Sequence, residues 1–531
     1  MARYKEYGYD IKDGVAIIPE WEMEIKEDAF SDCKELKRID IPQWVTKIGK
    51  YAFCGCSSLT SISIPPSVTE IGRGAFYGCS SLTSISIPES VTEIGDSAFK
   101  HCSSLTSISI PSSVMKIEPC AFQGCKNLKD VTLPEWMEKI EDCVFRDCSS
   151  LASVSIPSSV TKIWGNAFSG CSSLMSIVVS KDNMAYDSRE DCNAIIHTES
   201  NTLVRGCQNT IIPLSITKIG VWAFSGCSNL TNISIPPSVT KIWGGAFFGC
   251  SSLMSISIPP SVTEIGESAF FGCYSLTSIS IPPSLTGIGE SAFSDCSSLT
   301  GVIIPPSVTV IGEGAFSGCP NLTSIVVSKG NKVYDSREDC NAIIYTVSNT
   351  LICGCKSTII PSSVTEIGNY AFSGCSSLTG VSIPRLVTKI NSHAFYGCTN
   401  LTGISIPPSV TKIGYWAFSC CSALTSFVVS KDNKVYDSRE DCNAIIHTES
   451  NTLISGCKNT IIPSSVTKIG NWAFSGCSTL TGISIPPSVT KIGLGTFWGC
   501  SSLTSISILK ECQVANDAFR GCPKNLVITR Y

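Results

Sequence analysis

One 23-residue stretch, IGRGAFYGCSSLTSISIPESVTE at Ile71–Glu93, recurs from near the first residue of the chain to near the last. Each copy carries a phenylalanine, a cysteine three residues later, then Leu, Ile-x-Ile-Pro and Val-Thr-x-Ile-Gly. The 23-residue step is constant within a block, apart from a final step that is one residue shorter, and between blocks it is lengthened by an insert. A fixed period of this length is the signature of a solenoid. The landmark phenylalanines are Phe30, Phe53, Phe76, Phe99, Phe122, Phe145, Phe168, Phe224, Phe247, Phe270, Phe293, Phe316, Phe372, Phe395, Phe418, Phe474, Phe497 and Phe519.

The residues from 82 to 102 show what one repeat does. Isoleucines alternate with serines, which is typical of a strand with one buried face. Pro88 ends that strand because proline has no N–H for a ladder, a second short extended piece follows, and Ser97–Phe99 predicts a single helical turn. We expect these side chains to point inward: Leu82, Ile85, Ile87, Val91, Ile94, Ala98, Phe99 and Cys102.

A lone repeat carries too few apolar side chains to offset the entropy of ordering its backbone, so neighbouring repeats must share one core. The uniform period therefore predicts one elongated domain instead of several globular ones. The sequence predicts a β-rich repeat solenoid whose coils stack one on the next.

The units GCSSLTSISIPPSVTEIG at Gly55–Gly72 and AFYGC at Ala75–Cys79 resemble the BspA-like class of leucine-rich repeats. Residues 20–528 carry the resemblance. It implies a curved, right-handed leucine-rich-repeat stack with short strands and single helical turns in each coil. It also implies a surface protein of bacteria or protists that acts in adhesion to host or matrix proteins and in coaggregation. The motif is specific for the fold and weak for function, because one fold serves many functions.

The period and its interruptions predict the organisation of the chain. A polar first coil is what a solenoid needs at an open end. The inserts share VVSKxNxxYDSREDCNAII and a predicted β-hairpin, in which Ala194–Ile196 and Thr202–Val204 flank Glu199–Asn201. The predicted parts are an N-terminal cap and first coil at 1–42, repeat blocks at 43–177, 214–325, 362–427 and 464–511, variant insert coils at 178–213, 326–361 and 428–463, and a C-terminal cap at 512–531.

Composition excludes several classes of protein. A net charge of −4 with 15% charged residues and no basic run predicts no nucleic-acid partner. No apolar run is long enough for a membrane span, so we expect no membrane insertion. The start of the chain has no apolar core of a signal peptide. The family resemblance implies a cell-surface or secreted protein, and the missing leader leaves a cytoplasmic location as the alternative.

Eighteen of the 30 cysteines stand three residues after a landmark phenylalanine, from Cys33 to Cys522. We favour a reduced ladder of packed thiols, because small buried thiols are common in protein cores. Disulfides between stacked coils are the alternative, since the spacing of the coils lies within disulfide reach. The C-x-C pairs Cys54/Cys56 and Cys353/Cys355 are a weak metal signal, and we expect no metal there.

The chain offers little catalytic chemistry. His197 and His447 are equivalent in the first and third inserts, and the second insert has Tyr345 in that place, so a shared catalytic or metal role is not expected. No H-E-x-x-H or G-x-S-x-G motif occurs. The acidic residues around Asp187 do not match the spacing of a calcium loop. We therefore expect no enzyme activity, no catalytic residue and no cofactor.

Aromatic side chains give the best candidates for partner binding. The strand face presents mostly small residues such as Ser61 and Ser63, whereas tryptophan and tyrosine make the hot spots of protein interfaces. Trp222, Tyr370, Trp416 and Trp472 stand two residues before a landmark phenylalanine, and Trp164 and Trp243 replace the turn glycine. Packing between adjacent turns is the alternative interpretation of these rings.

Three hypotheses for function follow. The first is a non-enzymatic scaffold for protein–protein contact, which the family resemblance directs to adhesion to a host, a matrix protein or another cell. The second is a cytoplasmic interaction scaffold. The third is a structural protein in which solenoids pair and assemble.

Overall fold

The computed structural model describes residues 3–531. Two compact units make up this part of the chain, one ending at Cys273 and the other running from Tyr274 to Tyr531. Both consist of coils built from short strands and turns, and the described α-helix is limited to Arg3–Glu6. The repeat solenoid expected from the period is confirmed. Met1 and Ala2, part of the predicted N-terminal cap, lie outside the described residues.

The Ile-x-Ile segment of the repeat forms the longer strand of a coil. In Ser107–Ser109 the isoleucine is buried between two exposed serines, and the strand pairs in parallel with its counterpart in the next repeat, Asp130–Thr132. These strands are Val15–Ile17, Arg38–Asp40, Ser61–Ser63, Ser107–Ser109, Asp130–Thr132, Ser153–Ile156, Ser176–Val179, Asn232–Ser234 and Ser255–Ser257 in the first unit, and Ser278–Ser280, Gly301–Ile304, Ser324–Val327, Gly403–Ile406, Ser426–Val429, Gly482–Ser484, Ser505–Ile508 and Val527–Arg530 in the second.

The Val-Thr-x-Ile segment forms a second strand of two residues. Lys116 and Ile117 pair in parallel with Glu93 and Ile94. These strands are Glu24–Ile25, Lys47–Ile48, Glu70–Ile71, Glu93–Ile94, Lys116–Ile117, Lys139–Ile140, Lys162–Ile163, Lys218–Ile219, Lys241–Ile242 and Glu264–Ile265 in the first unit, and Gly287–Ile288, Val310–Ile311, Glu366–Ile367, Lys389–Ile390, Lys412–Ile413, Lys468–Ile469, Lys491–Ile492 and Gln513–Val514 in the second.

The segment around each landmark phenylalanine is a run of tight turns, where the sequence predicted a helical turn. The amides of Ala98, Lys100 and Cys102 each donate to the carbonyl three residues earlier, at 3.1 Å. Helical continuity is lost because Ser97 has a φ of 57°, in the left-handed region. The Phe99 amide instead donates to the carbonyl of Ala121 in the next coil, at 2.8 Å. The turns therefore hydrogen-bond from coil to coil, as strands do.

The phenylalanines stack along the coils. Ring centroids lie 5.3–5.6 Å apart from Phe30 to Phe168, with ring planes within 10° of parallel. Tyr9 extends the stack at its N-terminal end, 5.3 Å from Phe30. In the second unit the neighbouring rings are 5.1–5.6 Å apart. All eight side chains that the sequence predicted to point inward from residues 82–102 are buried.

The cysteine of each repeat packs against this phenylalanine column. The Cys102 thiol donates to the Phe76 carbonyl of an earlier coil at 3.1 Å, and Cys125 makes the same bond to Phe99 at 3.2 Å. Burial raises the pKa of the Cys125 thiol to about 12. None of the 30 cysteines, all within residues 3–531, forms a disulfide. The ladder contacts are therefore those of a thiol that packs and donates.

Each insert contains a short strand, a 3₁₀ turn and an antiparallel hairpin. The predicted hairpin is confirmed, since Ala194–His197 pairs with Thr202–Gly206. Arg189 holds the bend with paired hydrogen bonds to the Asp187 carboxylate of 2.6–3.1 Å. The elements are Tyr186–Asp187, Arg189–Asp191, Ala194–His197 and Thr202–Gly206; Tyr334–Asp335, Arg337–Asp339, Ala342–Tyr345 and Thr350–Gly354; and Tyr436–Asp437, Arg439–Asp441, Ala444–His447 and Thr452–Gly456, and the N-terminal hairpin begins with Asp10–Lys12.

The insert coil has a glycine where other coils have the landmark phenylalanine. Gly206 donates its amide to the carbonyl of Ala223 at 2.8 Å, the bond that the phenylalanine amide makes elsewhere. A Cβ at Gly206 would collide with the Phe224 ring. The turns of the flanking coils meet directly, because Gly170 donates to the Ser225 carbonyl at 3.1 Å. The insert therefore adds strands to the sheets but adds no turn segment to the column of landmark turns.

Candidate functional site

The position two residues before each landmark phenylalanine forms a second column, which we call the outer column. Its backbone is left-handed at Trp222, Tyr370, Trp416 and Trp472, with φ between 55° and 61°. Glycine takes the same position at Gly74, Gly245, Gly314 and Gly495, also at positive φ. Bulky residues rarely adopt this conformation. The turn therefore imposes strain wherever the outer column carries an aromatic residue.

Aromatic residues and glycines of the outer column are paired between coils. A Cβ on Gly245 would collide with the Trp222 ring, and one on Gly495 would collide with the Trp472 ring. The ring of one coil therefore lies over the glycine that follows it in the next coil. This packing leaves Trp222 and Trp472 half-buried. Packing between adjacent turns, the alternative interpretation of these rings, therefore accounts for the buried part of Trp222 and Trp472.

From Tyr370 to Trp472, in the second unit, the outer column is a continuous aromatic stack. The rings of Tyr370 and His393 are 4.6 Å apart at 9°, and His393 and Trp416 are 4.9 Å apart at 28°. Trp416 and Trp472 lie 5.2 Å apart at 48°, although the third insert separates them in sequence. This contact exists because the insert between them contributes nothing to the outer column. We call Tyr370, His393, Trp416 and Trp472 the aromatic stack.

The aromatic stack lies along a groove of about 640 Å³. Tyr396 and Trp498 stand beside it, and Trp498 is 38% exposed. The other lining residues are polar or charged, apart from a glycine: Glu290, Ser291, Ser294, Glu313, Gly314, Ser317, Ser373, Ser475 and Arg520. The groove therefore combines an aromatic floor with hydroxyl walls, two carboxylates and one guanidinium.

Three of the six predicted site residues lie in this groove: Tyr370, Trp416 and Trp472. Trp222 belongs to the first unit, where its ring meets Phe248 edge-on at 5.4 Å. The other two tryptophans pack near lysines, with the Lys162 ammonium 4.0 Å from the Trp164 ring and the Lys218 ammonium 5.9 Å from the Trp243 ring. The prediction that all six form one binding strip stays untested, and only three of them share the groove.

The sequence analysis did not include His393 among the candidate binding residues. Its place two residues before Phe395 is the signal that would have found it. Burial lowers the pKa of His393, and its Nδ1 is buried with no hydrogen-bond partner in the described part of the chain. A hydrogen bond with the Cys420 thiol, together with burial, raises the pKa of Tyr396 to about 12. The centre of the groove is therefore uncharged near neutral pH.

The histidines of the inserts, His197 and His447, make hydrogen bonds within their own hairpins. His197 Nδ1 lies 2.9 Å from the Ser200 hydroxyl across a hairpin turn. Within residues 3–531, no group of three or more histidine, cysteine, aspartate or glutamate side chains is arranged to hold a metal ion. No helix in that range is both long and apolar enough to cross a membrane.

Comparison with known protein families identifies the type of repeat. The profile of the BspA type leucine-rich-repeat region, with six copies, matches residues 23–118, 92–190, 203–337, 351–444 and 446–529. The chain belongs to the BspA-type leucine-rich-repeat family. This confirms the resemblance carried by the Phe-Cys-Ile-x-Ile-Pro pattern. Family and fold are those of a leucine-rich-repeat scaffold, which is consistent with protein–protein interaction.

Solved structures of several bacterial proteins are similar to this chain. A leucine-rich cell surface protein from Faecalibacterium prausnitzii is 34% identical, over 63% of this chain and 95% of that one, with a TM-score of 0.52. A leucine-rich-repeat protein from Eubacterium ventriosum is 21% identical over 79% and 95% of the two chains, with a TM-score of 0.43. The pneumococcal vaccine antigen PcpA is 18% identical over 77% and 80%, with a TM-score of 0.41. A comparison with curated proteins finds no match.

Proposed function

We propose that this BspA-type protein is a non-enzymatic adhesion scaffold that holds a protein partner in the groove of its second unit. The observation that carries the proposal is the aromatic stack of Tyr370, His393, Trp416 and Trp472, whose ring centroids lie 4.6–5.2 Å apart. Large rigid aromatic side chains in a partly buried groove are the usual anchors of protein interfaces.

The backbone conformation supports a functional origin for the stack. Tyr370, Trp416 and Trp472 occupy left-handed positions that glycine takes at Gly314 and Gly495. Glycine would fit there without strain, so the fold alone does not require an aromatic residue. Strained residues of this kind cluster at binding and catalytic sites, where they are retained for function.

The composition of the groove favours a peptide segment of a protein as ligand. The ring faces are occupied by their stacked neighbours, which leaves ring edges toward the groove. Buried hydroxyl groups of Ser373 and Ser475 flank them and offer hydrogen bonds to a backbone. Glu290 and Glu313 add negative charge, and Arg520 adds positive charge. Such a surface suits an extended chain with polar and apolar side chains.

The adhesive role rests on the similarity to surface proteins. The Faecalibacterium prausnitzii protein, 34% identical to this chain, is described as a cell surface protein. Protease treatment of intact native cells, followed by mass spectrometry of the released peptides, tests the location. Peptides from the Ser-Arg-Glu-Asp-Cys-Asn inserts should appear before lysis. Their protection until lysis would contradict the adhesive role and direct the search to cytoplasmic partners.

A matched pair of variants tests the groove. The double variant Trp416→Ala/Trp472→Ala should lose binding to immobilised matrix proteins and to intact cells, measured with the labelled purified chain. Trp222→Ala is the control, because Trp222 has the same left-handed backbone and covers Gly245 as Trp472 covers Gly495. The control should bind like the native chain. Equal loss in both, or no loss in either, would contradict the proposed groove.

A further inference from the structure

The three inserts differ at one buried position in the hairpin. The residue directly before the hairpin glycine is Arg205 in the first insert, Cys353 in the second and Ser455 in the third. Arg205 is one of the largest fully buried side chains of the protein, at 1% exposure. The same place in the same coil therefore holds a long cation in one copy and a small neutral group in the others.

The contacts of Arg205 show which acceptors surround this buried hairpin position. Its Nη1 donates to the main-chain carbonyls of Trp222 at 3.2 Å and Ser225 at 3.0 Å. Its Nη2 donates to the Cys227 sulfur at 3.7 Å. All three acceptors belong to the coil that follows the insert. Each carbonyl uses a second lone pair for the guanidinium, since the Ser225 and Gly170 amides already donate to them.

The third insert keeps these acceptors without the arginine. A cavity of about 390 Å³ lies beside Ser455, and its lining includes Trp472, Ser475 and Cys477, the counterparts of the three Arg205 acceptors. The Trp472 carbonyl accepts from the Ser475 amide at 3.0 Å, and the Ser475 carbonyl accepts from Cys420 at 2.9 Å. Each carbonyl has a further lone pair, as in the first insert.

This cavity adjoins the groove. Trp416, Trp472 and Ser475 line both. A side chain that leaves an extended segment in the groove can therefore reach the cavity along the edges of Trp416 and Trp472. The planar guanidinium presents several N–H donors in a fixed arrangement, which suits the fixed carbonyl acceptors of this cavity. The second insert offers no such space, because the void beside Cys353 is only about 10 Å³.

We propose that the cavity beside Ser455 binds the guanidinium of an arginine side chain supplied by the partner segment, in the manner of Arg205. This inference rests on the proposed function for its biological ligand. The recognition itself requires only the cavity, so a small guanidinium compound can test it. The partner chemistry is thereby narrowed to a segment with an exposed arginine at the level of Trp416 and Trp472.

Calorimetric titration of the native chain with N-acetyl-arginine amide tests the cavity directly. We expect saturable binding at one site and at least about tenfold weaker binding of N-acetyl-citrulline amide, which has the same shape and no charge. Equal binding of the two compounds would overturn the proposal, because neutral amide donors would then suffice. No saturable binding of the arginine compound would also overturn it.

Exchange of the insert residues sharpens the test. Ser455→Arg should fill the cavity from within, abolish binding of the arginine compound and leave the unfolding temperature unchanged or higher. The reciprocal Arg205→Ser should open a second cavity and raise the stoichiometry from one to two. If Arg205→Ser fails to fold, Ser455→Arg alone decides. Undiminished binding by Ser455→Arg would refute the assignment.

The two proposals fail in different ways. If the native chain and Ser455→Arg capture the protein partner equally well, the result supports the groove as a binding site and contradicts the arginine site. If the arginine compound binds but Trp416→Ala/Trp472→Ala still captures the partner, the result supports the cavity as a guanidinium site and contradicts the groove as the partner site. Loss of partner capture in Ser455→Arg, with binding retained by Trp222→Ala, supports both.

Discussion

Two aromatic columns run through the second unit only two residues apart in sequence, and they are under different constraints. The landmark column repeats phenylalanine in every ordinary coil and is buried from Phe293 to Phe497. The outer column is half-exposed and changes from serine and glycine to tyrosine, histidine and tryptophan. The first column is fixed because its rings form the core. The second column keeps a left-handed backbone from Ser291 to Gly495, while its side chains differ from coil to coil.

The largest expected effect separates the two columns by stability. Phe395→Ala removes a ring at 0% exposure and should cost about 3–5 kcal/mol of unfolding free energy. Trp416→Ala removes a half-buried ring from the outer column and should cost roughly 1–2 kcal/mol. Urea unfolding followed by circular dichroism measures both. Equal losses of unfolding free energy would assign Trp416 to the core and would contradict the proposed difference between the two columns.

The second effect concerns the strain of the outer column. Trp472→Gly should be more stable than Trp472→Ala by about 1 kcal/mol, because glycine adopts a φ of 61° without a steric penalty. At the adjacent Ala473, which has no positive φ, Ala473→Gly should instead lose about 0.5–1 kcal/mol. Thermal unfolding of the three variants gives the two signs. The same sign at both positions would show that the left-handed turn carries no strain.

The smallest effect is a pH dependence of the aromatic stack. Burial lowers the pKa of His393 below its value in the unfolded chain. As pH falls below about 6.5, the unfolded state takes up a proton that the folded state resists, so folding stability decreases. The unfolding temperature of the native chain should therefore drop more than that of His393→Phe between about pH 7.5 and about pH 5.5. Identical drops would show that His393 is not desolvated by its neighbours.

Much of the fold was predictable because one pattern is repeated in every coil. The burial of Phe99 and Cys102 and the hairpin of Ala194–His197 followed from apolar spacing and turn residues. The helical turn was wrong, because Ser97 at positive φ breaks it into separate turns. Apolar spacing does not report on a left-handed residue when the position also accepts serine, cysteine and tryptophan.

The groove was less predictable than the fold. Trp416 contacts Trp472 because the third insert places no residue between them in the outer column. The sequence of the insert does not predict with which strands it pairs, so this contact could not be foreseen. Arg520 and Glu290 reach the groove from coils far apart in sequence. A pairing rule was nevertheless present in the sequence, since Tyr51, Trp222 and Trp472 are each followed by a glycine at the same position of the next repeat.

The constant register of the repeat also bears on how the chain acquires its structure. Asp130–Thr132 pairs with Ser107–Ser109 in the neighbouring coil, so strand partners are close in sequence compared with the length of the chain. Such a low relative contact order favours fast propagation once a first coil has formed. The rings of Tyr4 and Tyr9 stack on Phe30, so this coil presents a packed surface to the coil that follows it. Each new coil then docks on a finished surface during synthesis, and the newest coil is the one left exposed.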